Sequence, residues 1–123
     1  MAANKVINIQ PQFVPAAAGN LLNCGIASLA GPIGYTQTQP YIILKHIRLQ
    51  NTDTANHTVT LYNGATGGSA GGTQFGFASV NVPANSFLDW YGQGRFDSAD
   101  FLTGIADVAS KVIITMEGEI GLA

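Results

Sequence analysis

Apolar and polar side chains alternate along three stretches of the chain, which is the pattern of half-buried β-strands. The three stretches are residues 41–51, 57–62 and 111–120. In the first stretch, the alternation predicts a core-facing side of Tyr41, Ile43, Ile47 and Leu49 and a polar side of His46, Arg48 and Gln50. Ile42 and Leu44 interrupt the polar side, so we expect them to form an exposed apolar surface.

Turn-forming residues separate these strands from several weaker ones and predict an all-β fold. Residues 51–56 and 83–85 are expected to close two hairpins, one joining residues 41–51 to 57–62 and the other joining residues 75–82 to 86–91. Weaker strand patterns cover residues 6–10, 21–29 and 101–105. Short strands separated by Gly, Pro and Asn predict a single β-sandwich of jelly-roll type.

The two ends of this sandwich carry less regular patterns. Pro11 and Pro15 fix φ and remove backbone donors, so residues 1–20 are expected to form an extended N-terminal arm ahead of a β-sandwich domain over residues 21–123. Residues 97–100 resemble the capping box of a helix. Because Gly104 interrupts the helical spacing that follows, we expect at most one short helical turn there.

The composition limits the classes of function. Charged residues make up 10% of the chain, against roughly 25% in typical globular domains, so the exterior is largely neutral and suited to packing against other protein. A net charge of −2 with five basic residues argues against a nucleic-acid partner. The single cysteine, Cys24, excludes an intrachain disulfide. No signal-like or bilayer-length apolar run occurs, so we expect neither classical export nor a membrane span.

No arrangement of side chains predicts catalysis or cofactor binding. The glycine-rich residues 64–73 lack the lysine of a phosphate-binding loop. The soft metal ligands apart from methionine sulfur are His46, His57 and Cys24. In the expected hairpin His57 lies opposite Gln50, about 13 Å along the strand from His46, so the two histidines cannot share one metal ion. Glu117 and Glu119 lie on one side of the last strand, about 7 Å apart, which is the spacing of some glycosidase pairs.

The side of that strand also carries Lys111 and Thr115, however, and we interpret it as a solvated outer face rather than a catalytic cleft. A recognition role fits better at the aromatic residues Phe87, Trp90, Tyr91 and Phe96, which lie near Arg95. Tyr, Trp and Arg dominate the most energetic positions of interfaces, and aromatic faces also stack on sugar rings. The alternative is that Trp90 and Phe87 belong to the core.

Three segments resemble a known class of proteins. Residues 28–35 (SLAGPIGY), 39–48 (QPYIILKHIR) and 89–93 (DWYGQ) resemble small virion proteins of tailed bacteriophages, in particular capsid decoration or cement proteins with a β-sandwich or jelly-roll fold. The resemblance extends over most of residues 21–123. It implies a protein that binds the outside of the major capsid shell, often as a trimer, and stabilises it.

The sequence therefore predicts a structural, non-enzymatic virion protein, made in the bacterial host cytoplasm and located at the capsid surface. Its expected partners are the major capsid protein and further copies of itself, with a trimer favoured. The expected contact residues are Val6, Ile7, Ile9 and Phe13 of the arm, Ile42 and Leu44, and Trp90, Tyr91 and Arg95. The alternative is a carbohydrate- or receptor-binding β-sandwich of a phage tail or fibre that uses Trp90, Tyr91 and the glycine-rich loop.

Overall fold

The described part of the chain folds into eight β-strands. The computed structural model describes residues 5–23, 40–64, 74–96 and 100–122, and these ranges contain no helix. The strands are β1 (Lys5–Phe13), β2 (Gly19–Asn23), β3 (Pro40–Asn51), β4 (His57–Gly64), β5 (Val80–Val82), β6 (Phe87–Phe96), β7 (Phe101–Ala106) and β8 (Val112–Leu122). The all-β prediction is confirmed. Within these same ranges no helical segment has the length and apolarity to cross a membrane.

The strands form two four-stranded antiparallel sheets. Sheet I has the order β1-β8-β3-β6, and sheet II has the order β2-β7-β4-β5. Apolar side chains from both sheets belong to one buried cluster, which makes the arrangement consistent with a β-sandwich. The fully buried members with the largest side chains are Phe96, Ile42, Leu44, Ile47, Leu49, Leu61, Leu102, Ile114, Ile120, Val14 and Val59.

Both predicted hairpins are wrong, because their strands lie in different sheets. β3 belongs to sheet I and β4 to sheet II, and β5 and β6 are divided in the same way. Packed sheets lie about 10 Å apart, a distance that a five-residue connection spans easily. The buried Asn51 stabilises the first crossing: its Nδ2 donates to the carbonyl oxygens of Ala55 at 2.8 Å and Val82 at 3.0 Å.

A β-bulge at Lys45 reverses the alternation along β3. The pairing of β3 with both β6 and β8 shifts between Leu44 and His46, and such an added residue exchanges the two faces of a strand. Ile42 and Leu44 are 0% exposed and belong to the core. The prediction that Ile42 and Leu44 form a contact surface is therefore wrong. The core-facing side predicted for Tyr41 and Ile43 is wrong for the same reason, since both are half-buried and lie on the opposite side of the strand.

The described part of the predicted N-terminal arm belongs to the two sheets. β1 pairs with β8, and β2 pairs with β7, so the expected domain boundary at residue 20 falls inside β2. Ile9 and Val14 are core residues, 5% and 0% exposed. Pro11 lies where the β1–β8 register shifts, between Ile9 and Gln12, and an edge-strand bulge is a place that tolerates a missing backbone N–H. An arm separate from the sandwich is thus corrected to an edge strand over residues 5–13.

Residues 101–106 form β7, as the weaker strand pattern predicts, while residues 97–99 of the capping-box motif lie outside the described ranges. Gly104 is buried between the sheets, where a Cβ atom would lie 2.7 Å from Cδ1 of Leu21 and 2.9 Å from Cδ2 of Leu61. The glycine that breaks the helical spacing in the sequence is therefore required by close packing in the core.

Candidate functional site

The outer face of sheet I carries a compact group of charged side chains. After the bulge, His46 and Arg48 of β3 point away from the core, between Asp89 of β6 and Glu117 of β8. The strand register brings these side chains into contact, because His46 is opposite Glu117 and Arg48 is opposite Asp89. These four residues are called the outer-face network below.

His46 is bound at both ring nitrogens. Its Nδ1 lies 2.6 Å from Oε1 of Glu117, and its Nε2 lies 2.8 Å from Oδ1 of Asp89. Ionised carboxylates only accept hydrogen bonds, so both nitrogens must carry protons to donate to them. Burial alone would lower the pKa of His46, but the hydrogen bonds to Asp89 and Glu117 outweigh it and the pKa is raised. The site therefore favours the imidazolium form of His46.

Arg48 binds the other side of the same aspartate. Its Nε donates to Oδ1 of Asp89 at 2.7 Å and its Nη2 donates to Oδ2 at 3.0 Å, which is the two-pronged geometry that makes arginine–carboxylate pairs specific. The Arg48 guanidinium, together with His46, lowers the pKa of Asp89 to about 2. Asp89 is thus a carboxylate shared by two cations.

Aromatic rings cover the cations along the junction of β3 and β6. The guanidinium of Arg48 lies 4.3 Å from the ring centre of Phe87, and the guanidinium of Arg95 lies 4.2 Å from that of Tyr41. The ring of Tyr91 is stacked on His46, with 4.5 Å between centres and 7° between planes. Phe87 is 50% exposed and Tyr91 is 71% exposed, but each has a cationic or imidazole partner.

The predicted aromatic recognition cluster is divided between the two sides of β6. Tyr91 and Arg95 are exposed on the outer face. Phe96 is fully buried, and Trp90 is half-buried against the core, with its ring centre 5.2 Å from that of Phe75. Trp90 therefore belongs to the core margin. Alternation along a strand, which places neighbours on opposite faces, could have separated Trp90 from Tyr91 in the sequence.

A cavity of about 330 Å³ opens beside the outer-face network, and we call it the outer groove. Three strands line it: β1 contributes Asn8, Ile9 and Pro11, β3 contributes His46 and Arg48, and β8 contributes Thr115, Met116 and Glu117. No local pattern in the sequence predicts this groove. Its walls come from segments that are far apart in the chain, and only the strand order β1-β8-β3 brings them together.

A second histidine, His57, lies at one end of the sandwich. Its Nε2 is 2.8 Å from Oδ2 of Asp53, and its Nδ1 is 2.9 Å from Oδ1 of Asp107, a contact without hydrogen-bond alignment. The hydrogen bond to Asp53, helped by Asp107 and opposed by burial, raises the pKa of His57. The described residues contain no group of three or more His, Cys, Asp or Glu side chains arranged to hold a metal ion.

The two glutamates considered as a glycosidase pair bind separate cations: Glu117 binds His46, and Glu119 binds Lys45.

The predicted contact residues of β1 differ in their exposure to solvent. The side chain of Val6 is 82% exposed and that of Phe13 is 50% exposed. Ile9 is in the core, so its expected contact role is wrong.

Three other predicted features cannot be placed by their side chains. Ile7 is paired with Gly118, and its side chain lies outside the described part. Cys24 and residues 65–73 of the glycine-rich loop lie outside the described ranges.

No family model matches the chain, and a search of curated proteins finds no match.

Proposed function

We propose that the protein is a structural virion protein, a capsid decoration protein that binds the outside of a phage's major capsid shell and stabilises it. One observation carries this proposal. The exposed large apolar side chains of the described residues are Val6, Phe13, Phe87 and Tyr91. Phe87 and Tyr91 contact Arg48 and His46, which leaves Val6 and Phe13, both on β1, as the apolar surface that a partner would cover.

β1 also offers its backbone. It is the end strand of sheet I and pairs only with β8 among the described strands. An edge strand presents unpaired N–H and C=O groups to which a partner strand can add. Residues 6–13 contain no charged side chain that would oppose such pairing. The bulge at Pro11 limits regular pairing between β1 and a partner strand to the part of β1 that precedes Gln12.

The strand order supports the fold part of the proposal. Orders of 1-8-3-6 and 2-7-4-5 are compatible with the proposed eight-stranded jelly roll, an architecture shared by viral capsid proteins and lectins. Fold alone does not select a function. The low charge, the apolar edge and the resemblance to phage decoration proteins together favour the capsid surface.

Repetition of the same contact over a shell strengthens the binding of such a protein. A shell carries many equivalent sites, so contacts that are individually weak add up when copies of this chain also bind each other. We therefore propose the major capsid protein and further copies of this chain, most simply in a trimer, as its partners.

The chain provides a matched pair of variants to test the docking edge. Phe13 and Phe87 are both 50% exposed but lie on opposite edges of sheet I. Phage shells stripped of this protein would be incubated with the wild-type chain, with Phe13→Ser and with Phe87→Ser, and bound copies counted by quantitative mass spectrometry. We expect Phe13→Ser to weaken binding about tenfold, since it removes a side chain worth roughly 1.5 kcal/mol when buried, and Phe87→Ser to bind like the wild type.

Equal binding by both variants would disprove docking through β1. Absence of the wild-type chain from shells, or a copy number of about a dozen or fewer per particle, would disprove the decoration role and indicate a tail component.

A further inference from the structure

We propose that the outer groove of sheet I is a binding site for a neutral saccharide. This goes beyond capsid docking, which uses the edge of β1, whereas the groove opens on the face of the sheet. A decoration protein with this site would give the particle a sugar-binding surface.

The first support is the shape of the surface. The outer faces of sheets are often flat, but here bulges in β1 and β3 flank β8 on both sides, and a cavity of about 330 Å³ lies along the three strands. That volume is within the roughly 300–1,000 Å³ of small-molecule sites. Asn8 and Thr115 add neutral polar side chains to its lining.

The second support is the balance of charge. His46 and Arg48 are the cations of the network, and Asp89 and Glu117 are its carboxylates, so the charges cancel when His46 is protonated. An anionic or cationic ligand would gain little from such a site and would disturb the existing pairs. Hydroxyl groups both donate and accept hydrogen bonds, so a neutral polyol can use the donors and acceptors together.

The third support is that the polar groups are already fixed. Arg48 is held by two hydrogen bonds to Asp89 and by the ring of Phe87, and its hydrogen bonds within the described residues use Nε and Nη2 but not Nη1. Glu117 uses Oε1 to bind His46, while its side chain stays 52% exposed. Groups that are ordered before binding lose less entropy when a ligand arrives.

An aromatic ring stands beside these polar groups. Tyr91 is stacked on His46 through one face and is still 71% exposed. An exposed ring next to fixed donors and acceptors offers the apolar C–H side of a sugar a surface on which to stack. Tyr91 thus extends the site from the polar groove toward β6.

Sheet II supplies an internal control. Its outer face has a groove of about 260 Å³ lined by Thr58, Thr60, Tyr62, Ser79, Ile105, Ala106 and Asp107. The only charged side chain in that lining, Asp107, contacts His57. A phenylalanine at Thr115 would fill the outer groove without removing a member of the network, and a phenylalanine at Thr58 would fill the control groove.

The experiment uses the full chain and measures backbone amide shifts by NMR during titration with maltotriose, cellotriose and chitotriose as neutral probes. Sialyllactose and a heparin tetrasaccharide serve as charged probes. We expect saturable shifts at Asn8, Arg48, Thr115 and Glu117 with at least one neutral probe, at millimolar affinity. Thr115→Phe should reduce that affinity at least about tenfold, while Thr58→Phe should leave it unchanged.

A parallel arm distinguishes free sugars from polysaccharide. Retention of the chain on starch or cellulose beads assigns the site to polymer, and binding of the free trisaccharides alone assigns it to small sugars. The proposal is overturned if no neutral probe shifts the groove residues, if only the charged probes bind, or if Thr115→Phe and Thr58→Phe lose binding equally. Thermal melts of both variants verify that each remains folded.

Discussion

The two histidines of this protein make nearly the same contacts in two different places. His46 lies between Asp89 and Glu117 on the open face of sheet I. His57 lies between Asp53 and Asp107 at the end of the sandwich and is 9% exposed. Each imidazole faces two carboxylates, and in each case the pKa of the ring is raised. Only the surroundings differ.

The surroundings assign different roles to the two sites. Asp53 precedes β4 and Asp107 follows β7, so His57 connects segments that enter and leave the core of sheet II. The backbone N–H of Asp107 also donates to the carbonyl of Thr58, which strengthens the same junction. His46 connects neighbouring strands that are already paired with each other on both sides of the bulge. Its contacts orient side chains beside the groove, whereas those of His57 stabilise the fold.

The largest expected effect comes from the backbone that sets the position of His46. A Cβ atom at Gly118 would lie 2.0 Å from the carbonyl oxygen of Ile43, next to the bulge at Lys45. Since backbone cannot move aside as a flexible side chain can, Gly118→Ala should lower the free energy of unfolding by about 1–3 kcal/mol. Urea denaturation measures the loss.

A control glycine lies on sheet II. At Gly19 the nearest atom to a Cβ would be Cγ of Pro15 at 3.2 Å. Gly19→Ala should therefore lower the free energy of unfolding much less than Gly118→Ala does. If both variants lost the same free energy of unfolding, the close approach of β8 to β3 would not be what holds the bulge in place.

Matched substitutions at the two histidines test the assigned roles directly. His57→Gln should lower stability about twice as much as His46→Gln, because Asp53 and Asp107 would lose a partner that joins separate segments. Saccharide binding should follow the opposite order and fall only in His46→Gln. Thermal unfolding and the NMR titration measure the two effects. If His46→Gln were the more destabilising change, the distinction between a binding site and a structural site would be wrong.

Part of this structure could be read from the sequence. A period of two identified β3, β4 and β8, because each has one side against the core. The bulge was also visible in principle: Ile42 and Leu44 are in opposite phase to Ile47 and Leu49, which an unbroken strand cannot bury together. Without a bulge, the same alternation places the first pair on the exposed side of the strand.

The partners of each strand could not be read in the same way. The turn over residues 51–56 reverses the chain whether the next strand joins the same sheet or the opposite one, so local residues did not reveal that β3 and β4 are in separate sheets. The outer-face network depends on the order of the strands within sheet I. His46, Asp89 and Glu117 are distant in sequence and meet only through the order β8-β3-β6.

A smaller effect should appear in the pH dependence of stability. A raised histidine pKa stabilises the fold fully below the ordinary value of 6.5, and this contribution is lost as the pH rises through the raised value. The lowered pKa values of Asp89 and Asp53 stabilise above the ordinary value of 3.8 and are lost as the pH falls. The protein should therefore be most stable at a pH between the ordinary pKa of aspartate, 3.8, and that of histidine, 6.5.

Urea denaturation from about pH 5 to about pH 9 follows the histidine contribution. The wild type should lose stability across this range, and the double variant His46→Gln/His57→Gln should lose less. A parallel decline in both proteins would mean that neither histidine is responsible.

The smallest expected effect concerns Lys45, the neighbour of His46 at the bulge. Lys45 binds Glu119, but its side chain is 46% exposed, and an ion pair so accessible to water and salt contributes at most about 1 kcal/mol. A double-mutant cycle with Lys45→Ala and Glu119→Gln isolates the pair from the other contacts of Glu119. The coupling should be small and should weaken further in salt. A larger coupling would mean that the outer-face network extends through Lys45, and that this whole side of sheet I acts as one structural unit.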